Sequence, residues 1–177
     1  MHPHVFVDES KARRGYLLAA AFILPCNVTG LRKTIGALQL PNQERIHFVD
    51  ESDTRRKTIL SVMEAAAGHV VTIYDASAFR DVKAARDAAM ARLVDDAAKA
   101  GAERLVIETD DQAVASDKRI IRERVEQAGC QDFLRYDHRR AREDRLLSIP
   151  DAVAWSWAKG PPWRLRASGL LTHVVEV

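Results

Sequence analysis

Cysteine is almost missing from this chain of 177 residues: Cys26 and Cys130 stand far apart, without partners at zinc-ligand spacing. That excludes a disulfide framework and a zinc finger, and it predicts two buried thiols. Long hydrophobic runs are missing too. The longest uncharged apolar stretch, Tyr16 to Cys26, falls well short of the roughly 20 residues a membrane-spanning helix needs. The polar start His2-Pro3-His4 is no basic segment ahead of a long apolar core, so no secretion signal is expected and the chain reads as cytoplasmic, away from membranes. Low-complexity linkers and internal repeats are absent, which predicts one continuous domain over residues 1–177. Neither sign of charge dominates: 27 Lys and Arg against 25 Asp and Glu leave a formal charge of +2. The total therefore does not define a partner, and local patches matter more.

What is present is an alternation of short apolar runs with helical stretches. Val5 to Asp8 and Gly15 to Leu24 read as strands joined by the charged turn Lys11-Ala12-Arg13-Arg14, short enough for an antiparallel pair. Asn27 or Thr29 can cap a helix through about Leu38. The alternation Glu44-Arg45-Ile46-His47-Phe48 then predicts a third strand with Ile46 and Phe48 on its apolar face. Ser52 or Asp53 caps the next helix, stopped by Gly68. His69 to Tyr74 is the fourth expected strand, ending in Asp75; a long alanine-rich helix, Asp81 to Ala100, follows, then a strand over Arg104 to Thr109. A helix over Ser116 to Ala128, a strand over Cys130 to Tyr136, a helix over Ser148 to Lys159 and an edge strand in Leu170 to Val177 complete the reading. Three opening strands followed by alternating helices and strands is the β-β-β-α-β-α-β-α order of a ribonuclease H-like α/β fold, with antiparallel opening strands, later parallel strands and helices on both faces. A doubly wound nucleotide-binding fold fits less well, because no Gly-rich phosphate loop follows the first strand.

The blocks Val5-Phe6-Val7-Asp8-Glu9-Ser10, Glu44 to Phe48, Leu105 to Glu108 with Asp110-Asp111, and Leu146-Leu147-Ser148-Ile149-Pro150-Asp151 through Trp155 resemble, in order, those of a bacterial and phage family named domain of unknown function 3800 (DUF3800). The resemblance covers nearly the whole chain and implies a ribonuclease H-like fold with a suspected role in cleaving or binding nucleic acid. Two departures stand out: Glu108 occupies a position where the family usually carries aspartate, and Tyr74-Asp75-Ala76-Ser77 stands where a lysine is frequent.

Hydrolysis of a phosphodiester by a pair of divalent ions needs carboxylates from separate elements to converge, because two ions roughly 3.5–4 Å apart clamp the attacking and leaving oxygens. Mg2+, with Mn2+ as substitute, takes hard oxygen ligands. Asp8 at the end of strand one and Asp151 at the start of the last long helix are the leading candidates. Asp75 and Glu108 compete for the third place: a fourth strand beside the first favours Asp75, the resemblance favours Glu108, and the choice stays open. Asp75 also reads as a turn or cap residue, and Ser148-Ile149-Pro150-Asp151 as a capping box. Glu9 and His47 are auxiliary candidates. Arg139, Arg140 and Arg142 form a patch for nucleic-acid phosphates, although Asp137, Glu143 and Asp144 interleave it as on a solvated face. Trp155, Trp157 and Trp163 read as core. The expected function is a metal-dependent nuclease-like hydrolase; the alternative is a noncatalytic module of the same fold that binds nucleic acid or protein.

Overall fold

The computed structural model describes residues 2–12 and 15–177. Its sheet has six strands in the order β5-β4-β1-β2-β3-β6. β1 (His4–Ala12) and β2 (Gly15–Ile23) form the expected hairpin, with Ala12 opposite Gly15; Arg13 and Arg14 of the expected turn lie outside the described residues. β3 (His69–Asp75) adds antiparallel to β2. On the other side β4 (Arg104–Glu108) runs parallel to β1, and β5 (Arg135–Arg139) parallel to β4. β6 (Leu171–Glu176) closes the edge, parallel to β3.

Helices cover both faces. α3 (Val82–Lys99) and α4 (Val114–Gln127) pack against the odd-numbered side chains of β1, Val5 and Val7. α1 (Pro25–Leu38), α2 (Asp53–Ala66) and α5 (Ser148–Lys159) pack against the face that carries Phe6. Period-two alternation along β1 thus feeds two cores, and it assigns Asp8 and Glu9 to opposite faces. Ser52 caps α2 by accepting from Arg55 N–H at 3.3 Å, and Asp81 caps α3 from Ala84 N–H at 2.7 Å. Pro161 opens a further short helix, α6 (Pro161–Arg166), where a break was expected. Cys130 is buried as expected, while Cys26 is exposed.

The main correction concerns Glu44 to Phe48, which is not a strand. It is an irregular segment leading into a 3-10 turn at Phe48–Asp50. Ile46 and Phe48 are buried, as the alternation required, but their backbone groups bond to side chains: Ser148 Oγ donates to Ile46 C=O at 3.3 Å, and Asp151 Oδ2 accepts from Phe48 N–H at 2.8 Å. Spent in this way, Ser148 and Asp151 do not form the expected capping box. The helix run is instead capped upstream by Asp144, whose carboxylate accepts from Leu146 N–H at 3.2 Å.

Losing that strand changes the count. The segment ending in Asp75 becomes the third strand of the sheet, with β2 between it and β1, and the neighbour of β1 is the strand ending in Glu108.

Candidate functional site

The β1–β4 register pairs Val7 with Ile107, so its next step sets Asp8 beside Glu108 on the face that α5 covers. α5 reaches that face with Ile149, Ala152 and Val153 in its apolar core, and its first turn brings Asp151 to the same place. A cavity of about 520 Å3 opens there, lined by Asp8, Glu9, Lys11, His47, Glu108, Thr109, Asp110, Asp111, Gln112 and Asp151. Carboxylates from β1, β4 and α5, residues remote in sequence, thus share one cavity at the C-terminal end of the parallel strands.

The electrostatics of these acids are out of balance. Burial pushes the Asp8 carboxyl well above its usual range, and the charges of Asp151 and Glu108 push it further. Among the described residues, the one hydrogen bond to the Asp8 carboxylate comes from its own neighbour, Glu9 N–H to Oδ1 at 2.7 Å. Burial raises Asp151 to about 6, against the opposing pull of the Phe48 N–H bond and the His47 charge. Arg45 offsets part of the excess through Nη1 to Glu108 Oε1 at 2.6 Å. The N-terminus of α5 also favours negative charge at Asp151. Among the described residues, no group of three or more His, Cys, Asp or Glu side chains is arranged so that it could hold a metal ion.

Glu9 touches the rim of the cavity, but its carboxylate belongs to the opposite face. It accepts from Tyr16 Oη–H at 2.7 Å, pairs with Lys11 at 2.9 Å, and contacts Arg86. Arg86 also forks onto buried Asp117 through Nε and Nη2, each at 2.8 Å, and His138 Nε2 meets Asp117 at 3.1 Å. Asp75 is not among the residues that line the cavity: it ends β3, and its Oδ1 accepts from Ser77 N–H at 2.9 Å, the turn role that the sequence also allowed. His47 lines the cavity while its Nδ1 contacts Asp50 Oδ2 at 2.9 Å.

A second cavity, about 460 Å3, shares Glu108 and Thr109 with the first and is lined by Arg45, Arg140 and Arg142. Arg140 Nη2 forks onto both Asp111 oxygens at 3.0 Å, and Arg142 lies 3.9 Å from Glu44. Arg139 pairs with Glu108 across β5 and β4 and lies 3.8 Å from Asp137. Sequence reasoning missed Arg45, although the alternation that put His47 on the polar side of its segment applies equally to Arg45. A larger cleft, about 1080 Å3, opens at the N-terminal ends of the strands. There His4 meets Glu103 and Arg104 meets Asp137, each at 2.8 Å.

No family model and no curated relative matches the chain. Solved structures do: one is RNase HII in a complex with PCNA from Archaeoglobus fulgidus, with a TM-score of 0.61 at 14% identity, the match covering 94% of this chain and 77% of that one. The fold is ribonuclease H-like. At this identity the likeness carries the architecture alone: an antiparallel β1-β2-β3 unit, β4 and β5 added parallel to β1, and helices on both faces. No helix among the described residues is long and apolar enough to cross a membrane.

Proposed function

We propose that this chain is a metal-dependent phosphodiester hydrolase acting on RNA or DNA, with Asp8, Glu108 and Asp151 as its acidic centre. The observation that carries the reading is the convergence of these acids from β1, β4 and α5 in one cavity, with too little positive charge to balance them. Their oxygen donors fit a hard divalent ion, Mg2+ or Mn2+, and mutual repulsion is what such an ion relieves. Asp8, Glu108 and Asp151 would supply its protein ligands. When bound, the ion supplies Lewis acidity and a more acidic water.

The chain's own groups do the rest. Phe48 N–H orients Asp151. Arg139, Arg140 and Arg142, with Arg45 beside them, offer positive charge to the phosphates flanking the scissile one. His47, on the polar side of its segment, is placed to orient water or a phosphate oxygen. Asp75 keeps its turn role. The likeness of the sequence blocks to domain of unknown function 3800 is in line with this assignment.

Hydrolysis of single-stranded and duplex RNA and DNA in Mg2+ or Mn2+ tests the reading, comparing wild type with Asp8→Asn and Asp151→Asn. Each variant is expected to lose at least about a hundredfold in rate, the scale on which removing a key transition-state contact acts. Equal rates in all three proteins would overturn it.

A second reading is favoured by the existing bonds of two of the acids, Glu108 to Arg45 and Asp151 to Phe48 N–H. They are the contacts expected of a noncatalytic module that binds nucleic acid or protein. Calorimetry separates the two: salt-sensitive nucleic-acid binding without Mg2+ binding favours the module.

A further inference from the structure

Asp151 and Trp155 stand one turn apart on α5, and residues four apart lie on the same face of a helix. Both meet the segment that turns at Phe48. The Phe48 N–H donates to Asp151 Oδ2 at 2.8 Å, and the Phe48 ring packs edge-on against Trp155 with centroids 5.3 Å apart. The loop is closed from α2 by Arg56, whose side chain is only 12% exposed. Its guanidinium lies 4.2 Å from the Trp155 ring centroid, donates from Nε to Phe48 C=O at 2.8 Å, and donates from Nη2 to Val49 C=O at 2.6 Å. Nη1 is anchored on Asp53 at 2.7 Å. Four groups thus form one ring of contacts: carboxylate to amide, carbonyl to guanidinium, guanidinium to indole, and indole back along the helix to the carboxylate.

Chemically, the arrangement pins the backbone on both sides of the Phe48 Cα: its N–H is held by Asp151, and the two peptide groups that follow are held through their carbonyls by Arg56. The segment Glu44 to Phe48 has no strand ladder to hold it, so the φ and ψ of Phe48, and with them the direction of its N–H, depend on the side chains that hold the backbone on either side of its Cα. Arg56 is suited to the task because a planar fork reaches two successive carbonyls while its face rests on an aromatic ring; lysine, a point charge, does not do both. Resting on the reading of Asp151 above as an acid of the hydrolytic centre, we propose that Arg56 is a positioning residue: by holding the Phe48 and Val49 carbonyls it aims the Phe48 N–H at Asp151 and so sets where that carboxylate points.

The test compares wild type with Arg56→Lys and Arg56→Gln in the full chain, with Trp163→Phe as a control that perturbs the same aromatic cluster, since Trp163 stacks edge-on with Trp155 at 5.2 Å. Amide hydrogen exchange at Phe48 is read beside that of Val153 inside α5, together with Mn2+ affinity by calorimetry and with kcat and KM on a nucleic-acid substrate. Both Arg56 variants are expected to speed Phe48 exchange by about tenfold or more, the scale of a lost charge-assisted hydrogen bond, while Val153 keeps its rate. Mn2+ affinity and kcat fall together with KM unchanged, and Trp163→Phe leaves the Phe48 amide protected. Unchanged Phe48 exchange in a folded variant overturns the proposal, as does acceleration spread equally over α5, which a merely structural role would give, or wild-type kcat and Mn2+ affinity despite a freed amide. If wild type neither binds Mn2+ nor cleaves nucleic acid, the hydrolase reading falls and Arg56 has no reaction to serve; the exchange data would then report only a structural clamp, and the positioning role is overturned with it.

Discussion

Asp8 and Glu9 are neighbours in sequence, yet they live in opposite electrostatic worlds. On the α3–α4 face, Glu9 and buried Asp117 are met by Arg86, with Tyr16, Lys11 and His138 adding contacts. Burial alone would raise the Asp117 carboxyl, but hydrogen bonds and charges from Arg86 and His138 outweigh it and hold the group below its usual value. The Lys11 hydrogen bond likewise holds Asp110 down. On the α5 face, Asp8 and Asp151 are pushed up, first by burial. A balanced acid is part of the scaffold; acids left out of balance mark a place where stability has been given up, as functional sites commonly do.

Arg86→Met is the harshest way to break this comparison. It leaves Glu9 and Asp117 without their shared cation, and removal of one partner from a buried pair costs about 3–5 kcal/mol. Urea unfolding of the variant reads this directly, and a loss below about 1 kcal/mol would make the network ornamental. Acid sharpens the same contrast. Because Asp117 is depressed in the folded state, its contribution is present above its unfolded value and is lost as pH falls through the folded one. The difference in stability between wild type and Asp117→Asn, measured from pH 6 downward (roughly, the range that brackets ordinary carboxyl values), should therefore shrink as pH falls, while the raised Asp8 and Asp151 pull the other way in both proteins.

On the other face the sign reverses. Asp8→Asn removes a repelled charge, so unfolding free energy should stay within about 1 kcal/mol of wild type or rise, the behaviour expected of a site that trades stability for function. A loss of several kcal/mol, checked by the same urea titration, would assign Asp8 to the scaffold. The smallest effect belongs to the rim. Arg140→Gln breaks an exposed pair with Asp111, worth at most about 1 kcal/mol. In nucleic-acid binding it should lower the salt slope by about one and weaken all sequences alike.

Much of this was legible from residues alone. β1, β2 and the helix carrying Asp151 follow from period-two and period-3.6 patterns, and Ser52 announced its helix as a cap. The segment Glu44 to Phe48 defeated the method for a physical reason. Alternating burial of Ile46 and Phe48 is the same whether a ladder or distant side chains hold the backbone, and the partners Ser148 and Asp151 lie on another element. That one extra strand is what set Asp75 beside Glu108 as an open alternative: the rule that the fourth strand lies beside the first is met by β4, which ends in Glu108. The separation of Glu9 from Asp8 was readable from alternation alone. The guanidinium of Arg86 was not, because nothing in the local pattern of α3 tells which strand residue it will meet.

The lengths of neighbouring strands have a steric consequence. β1 runs on past Asp8 to Ala12 with β2 paired along it, whereas β4 stops at Glu108. The hairpin therefore extends beyond β4 along one flank of the acids, while Arg140 and Arg142 lie on the opposite flank, after β5. Under the proposed function, a polymer drawn to those arginines would meet the acids sideways, over a threshold rather than down a well.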